Sequence, residues 1–204
     1  MPGPFERRRF LALELKDGDA AQLLPGSGQA VAGRLHVKLD IEGSGLSPKA
    51  LVGSLAGRGR VGLERGQFTG LDPKVFPSVM RAADQELPPD LARLRLFVQG
   101  RLDGGRLDVP AAETDFAVSG GQVQIADAKI RAVGADMALS GSYDLNSNSY
   151  DARLVLIGSN VINPAGPPEL AILLKGTPAA AMRTIDVSGL MGWLTLRSVE
   201  QQSK

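Results

Sequence analysis

Between Arg34 and Glu42 the apolar residues Leu35, Val37, Leu39 and Ile41 alternate without a break with His36, Lys38, Asp40 and Glu42. Successive side chains of a strand point to opposite sides, so this period of two predicts a strand with one apolar and one wet face. Shorter stretches of the same kind recur at Phe10 to Leu15, Arg60 to Glu64, Gln67 to Leu71, Phe116 to Ser119, Gln122 to Ile125, Lys129 to Val133, Met137 to Tyr143, Tyr150 to Ile157 and Leu170 to Lys175. Turn-forming runs lie between them, among them Arg65-Gly66, Ser119-Gly120-Gly121, Gly134-Ala135-Asp136 and Asn146-Ser147-Asn148-Ser149. Connections this short join antiparallel neighbours, because parallel pairing needs a long crossover. The pattern predicts about nine or ten strands in a meander.

Helical spacing is confined to a few places. Pro48 to Leu55 follows Ser47, a suitable N-cap, and meets Gly57. Asp72-Pro73 opens a second candidate that runs to Gln85, with Val75, Val79 and Ala83 on one face and Pro77 as a possible disturbance. Beyond Pro88-Pro89, Leu91, Leu94, Val98 and Leu102 form an apolar stripe. A last helix follows Asp186, carrying Val187, Leu190, Met191, Trp193, Leu194, Leu196 and Val199. The expected organisation is a disordered or linker start over 1–9, a β-rich domain over 10–182 with a helical insertion over 73–102, and a C-terminal helix and tail over 183–204.

The chain has 204 residues, enough to bury a core without staples. Its 25 glycines and 13 prolines exceed the usual ~12 % of a chain, which fits a turn-rich β protein. Lys and Arg number 23 against 22 for Asp and Glu, so the electrostatic footprint of a nucleic-acid binder is missing. No cysteine and a single histidine exclude thiolate chemistry and paired-histidine metal sites. No segment offers the ~20 apolar residues of a membrane-spanning helix.

The remaining motifs favour plain readings. Gly57 to Gly62 matches the glycine spacing of a dinucleotide loop, but that loop needs a strand before it and a helix after it, and here the order is reversed. His36 stands among charges on the wet face of its strand, as a solvated residue does. Asp17-Gly18-Asp19 lacks the ligand series of a calcium loop and reads as a polar turn. No serine sits in a nucleophile elbow. Trp193, in an apolar helix near the chain end, is a membrane-interface candidate as well as a packing residue. No cofactor, metal site or catalytic residue is expected. An enzyme built on a carboxylate pair is a rival reading that no spacing favours.

A meander with one apolar face must bury that face against a second layer. The helical segments are too few to cover some ten strands. Either the sheet closes into a sandwich or barrel, or it remains an open groove whose aliphatic lining is left for a ligand. With only 4 % aromatic residues, such a lining suits acyl chains better than sugars or bases.

Gly43-Ser44-Gly45-Leu46-Ser47-Pro48, Leu51 to Gly59 and Gly66 to Asp72 together resemble the C-terminal region of AsmA-like proteins. So do Phe116 to Gly121, Leu139 to Leu145 leading to Ala152-Arg153-Leu154, and the close formed by Lys175 to Pro178, Arg183 to Val187 and Trp193-Leu194. The resemblance covers roughly 10 to 200. It implies a mainly β, curved antiparallel groove or open barrel-like sheet in a Gram-negative envelope protein. That protein would be periplasmic, anchored in the inner membrane by a segment upstream of this chain. The implied role is non-catalytic: phospholipid transport between the membranes and outer-membrane biogenesis, with phospholipid acyl chains as ligand and outer-membrane or envelope proteins as further partners. On this reading Leu35, Val37, Leu39, Ile41, Val123, Ile125, Met137, Leu139, Leu154 and Leu156 line the groove, although the same alternation also describes an ordinary sheet core. The alternative is a closed β scaffold or interaction module that binds another envelope protein through a sheet edge.

Overall fold

Among the described residues nine strands form one sheet in the order of the sequence, every neighbour antiparallel. They are β1 (Arg9–Asp19), β2 (Val31–Gly43), β3 (Ala56–Thr69), β4 (Arg106–Ser119), β5 (Gln122–Arg131), β6 (Ala135–Asp144), β7 (Ser149–Gly158), β8 (Glu169–Thr177) and β9 (Ala180–Asp186). The helices are α1 (Ala20–Leu23), α2 (Pro48–Gly53), α3 (Val75–Asp84), α4 (Leu91–Asp103) and α5 (Ser188–Gln202). This is a computed structural model that describes residues 9–23, 31–85, 90–159 and 166–202. Among the described residues the sheet does not close: β1 and β9 are its two edges.

Local chemistry explains the helix boundaries. The Ser47 hydroxyl accepts from the Ala50 amide at 3.2 Å and starts α2. Asp90 does the same for α4, accepting from the Ala92 amide at 2.9 Å. Pro77 is harmless because it lies in the first turn of α3, where an amide would have no helical partner. In α4 the stripe Leu94, Val98 and Leu102 is buried, while Leu91 at its start is 39 % exposed.

The strand count agrees with the expectation, but three segments differ in detail. Arg60–Glu64 and Gln67–Leu71 are not two strands around a turn. Arg60 to Thr69 runs on as one strand within β3, in which Arg65, at φ 50°, belongs to a bulge opposite Gly33 of β2. Gln122–Ile125 and Lys129–Val133 merge likewise into β5 through a bulge at Ala126-Asp127. β9 completes the set; its small residues gave no alternation, and it carries the sheet to Asp186, past the boundary expected at 182. The bulges matter for the face. Leu63 and Gly66, like Ile125 and Ala128, are three positions apart, and the extra residue keeps each pair on one side of the sheet. Residues 1–8 of the expected linker lie outside the described residues.

Candidate functional site

The register assembles one apolar face from every strand. One row runs Leu11, Ile41, Gly57, Val118, Val123, Tyr143 and Tyr150 across β1 to β7. The next begins Leu13, Leu39, Gly59 and Phe116, and a third Leu15, Val37, Val61 and Thr114. Their sequence neighbours, including Lys38, Asp40, Arg58, Arg60 and Asp115, therefore fall on the opposite face.

Helices cover only part of this apolar face. Val75, Phe76 and Val79 of α3, Leu94, Val98 and Leu102 of α4 and Leu190 of α5 share one core with Leu107, Val109, Ile130, Met137, Leu154, Leu156, Leu170, Ile172 and Ile185 of β4 to β9. Two ion pairs tie this layer down. The Arg183 guanidinium bridges Asp103 at 2.6 Å and the Gly70 carbonyl at 2.8 Å, and Arg197 reaches Asp84 at 3.0 Å. No residue of β1 or β2 belongs to that core. There Leu11 is 53 % and Leu13 47 % exposed, and Leu15, Val37, Leu39 and Ile41 are half-buried, as are Val61, Phe116, Val123 and Ile125 farther in.

The ten expected lining residues thus lie on one face but in two environments. Val37, Leu39, Ile41, Val123 and Ile125 are on the open part, and Leu139 is at the border, partly buried against the core. Met137, Leu154 and Leu156 are core residues beneath the helices, at 1, 4 and 0 % exposure, and offer no surface to a ligand. Leu35 is buried too, outside the helical core. Trp193 is corrected from a membrane-interface candidate to a packing residue. Its ring is buried, its indole N–H donates to the Gly166 carbonyl at 2.8 Å, and the Arg197 guanidinium stacks over it. Leu11, Leu13, Leu15, Val61 and Phe116 were missed as lining, though the alternation of Leu11, Leu13 and Leu15 is plain in the sequence.

Small residues keep the floor level. A methyl group at Gly59 would overlap the Phe116 ring, which lies across this glycine from the neighbouring strand. The glycine pattern from Gly57 to Gly62 is accordingly part of a strand and its packing, not a phosphate loop. At the end of the sheet nearest α2 a cleft of about 390 Å³ is lined mainly by residues of the opposite, wet face, among them Phe10, Ala12, Asp40, Glu42 and Arg58.

The wet face carries cross-strand ion pairs. Arg60 bridges Asp115 at 2.6 Å and Glu113 at 3.2 Å, and the bond to Arg60 holds the Asp115 carboxyl below the usual carboxylate range. Lys38, at 3.3 Å, does the same for Glu14. His36 accepts at Nδ1 from the Asp17 amide at 3.3 Å and supports the β1 bulge, where Asp17 has φ 56°.

No family model, curated protein or solved structure matches the chain. Among the described residues no helix is long and apolar enough to cross a membrane, and no group of His, Asp or Glu could hold a metal ion.

Proposed function

We propose that the open half of the apolar face is a bed for phospholipid acyl chains, and that the chain works without catalysis as a lipid-guiding segment. One observation carries this reading: a leucine- and valine-rich surface in register across β1, β2 and β3 takes no part in the core that α3, α4 and α5 build over β4 to β9, and Leu11 and Leu13 are half-exposed on it. Contiguous apolar surface of this kind marks an interaction site. Its side chains are aliphatic and unpatterned in polarity, so they offer affinity without a hydrogen-bond code. Full burial of a methylene is worth ~0.8 kcal/mol, and a chain lying on an open face buries about half its circumference, so roughly 15 methylenes gain about 6 kcal/mol. That holds a lipid while allowing it to slide. Headgroups remain in water.

The resemblance to AsmA-like proteins supports the same reading. It adds the setting proposed here: a periplasmic segment of an inner-membrane-anchored protein that serves phospholipid transport and outer-membrane biogenesis. A closed scaffold requires a filled interior, which the exposure of Leu11 and Leu13 does not favour.

The experiment is native mass spectrometry of the delipidated chain after incubation with vesicles of phosphatidylethanolamine and phosphatidylglycerol. The reading predicts stoichiometric phospholipid on the recovered protein, and its loss in a folded Leu39→Asp variant. Lipid-free protein, or unchanged loading of the variant, would refute it.

A further inference from the structure

β3 is an inner strand of the bed, flanked by β2 and β4. On the apolar face it contributes Gly57, Gly59 and Val61, opposite Ile41, Leu39 and Val37 of β2 and opposite Val118, Phe116 and Thr114 of β4. In its first two rows bare backbone thus lies between larger side chains on both sides. Neighbouring strands are about 4.8 Å apart, so these two walls stand roughly 9.6 Å apart, the width of one alkyl chain in contact with carbon on either side. Gly57 is exposed and Gly59 half-buried. Phe116 covers the second glycine: its ring leans across from β4 and lies where a side chain of residue 59 would begin. Phe116 takes no part in the core under the helices.

We propose that the Phe116 ring is a displaceable cover, and that a bound acyl chain lies lengthwise over Gly57 and Gly59 once the ring has swung off the strand. The inference rests on the acyl-chain bed argued above and gives it a direction, along β3 and not across the strands. A chain laid across would ride over the side chains of β2 and β4 and leave a void above the glycines. A void forfeits the dispersion contacts on which affinity without hydrogen bonds depends. A chain laid lengthwise touches the glycine backbone beneath it and Leu39, Ile41 and Val118 at its sides. Displacing the ring takes a change of rotamer and no movement of the backbone. The acyl chain takes over the contact that the ring gives up. The lane is therefore covered when no lipid is present, and Phe116 sets how readily it loads.

The chain has no cysteine, so a single introduced thiol carries the probe. Bimane is placed on Ile41→Cys or Val37→Cys, at the two ends of the lane on its β2 side. Phosphatidylglycerol vesicles supply phosphatidylcholine with a nitroxide either near the ester or near the methyl end of its acyl chain. A lengthwise chain makes the two labels quench opposite probes most strongly, one at position 41 and the other at position 37. Phe116→Leu keeps an apolar wall but is too short to cover Gly59, so no ring has to be displaced. With the uncovered state at ~10 % or less of the free protein, the apparent phospholipid affinity of this variant, read by the same quenching, is expected to rise about tenfold or more. The same ranking of the two probes by both labels, or an affinity of folded Phe116→Leu that is unchanged or lower, overturns the proposal and leaves the acyl-chain bed standing. No quenching by either label at either probe refutes the bed itself, and the inference with it.

Discussion

Leu39 and Leu156 stand on the same face, and the account assigns them opposite roles. Leu156 is fully buried beneath the helices. Truncation to alanine leaves a cavity there, at a cost of about 3 to 4 kcal/mol. Leu39 is only half-buried, and full burial of a leucine is worth about 1.5 to 3 kcal/mol, so Leu39→Ala forfeits roughly 0.5 to 1 kcal/mol. Equilibrium urea unfolding followed by far-ultraviolet circular dichroism reads the difference. With a slope of about 2 kcal/mol per molar, the midpoint falls by roughly 1.5 to 2 M for Leu156→Ala and by roughly 0.3 to 0.5 M for Leu39→Ala. Lipid loading should respond in the reverse order, reduced in Leu39→Ala and retained in Leu156→Ala at temperatures where it is folded. Equal midpoint shifts would mean that something covers Leu39 in the free protein, and the division of the face would be wrong.

Gly59→Val should destabilise by about 1 to 3 kcal/mol, because its side chain overlaps the Phe116 ring. Adding Phe116→Ala should recover part of that loss in a double-mutant cycle, and strict additivity would contradict the contact. Arg183→Ala removes the clasp on Asp103 and the Gly70 carbonyl and should lower the thermal midpoint. Because the guanidinium is partly exposed, about 1 to 2 kcal/mol is the expected scale, measurable by calorimetry. Acid should also weaken the fold. The Ser188 amide lowers the Asp186 carboxyl, and the amides of Ser147 and Asn146 lower Asp144. Groups with a depressed folded pKa stabilise above their unfolded value, near 4, and lose that contribution as pH falls through the folded value. The midpoint should therefore drop on acidification below about pH 4, and Asp186→Asn should flatten the drop.

The meander was legible because Leu35 to Ile41 and its shorter relatives alternate cleanly and the turns between strands are rich in glycine and asparagine. The bulges were not. Arg65-Gly66 has the composition of a hairpin turn, and only the unbroken register with β4 on both sides of Arg65 shows that the strand continues. β9 escaped because Ala180 and Ala181 are too small to declare a face. The scarcity of helices implied only that helices alone could not cover the face, and left open whether the sheet closes on itself. Which rows lie open was illegible, since Leu39 and Leu156 sit in the same kind of alternation and differ only in whether α3, α4 and α5 fold over them. Trp193 illustrates the same limit: its burial depends on a carbonyl at Gly166 that no local pattern announces.

A polarity-sensitive dye on a single introduced thiol tests the central claim directly. In Leu39→Cys the native protein should label readily with a maleimide fluorophore, and phosphatidylglycerol vesicles should shift its emission to the blue. In Leu156→Cys labelling should wait for unfolding. Slow labelling at position 39, or emission there that is indifferent to phospholipid, would contradict an open acyl-chain bed.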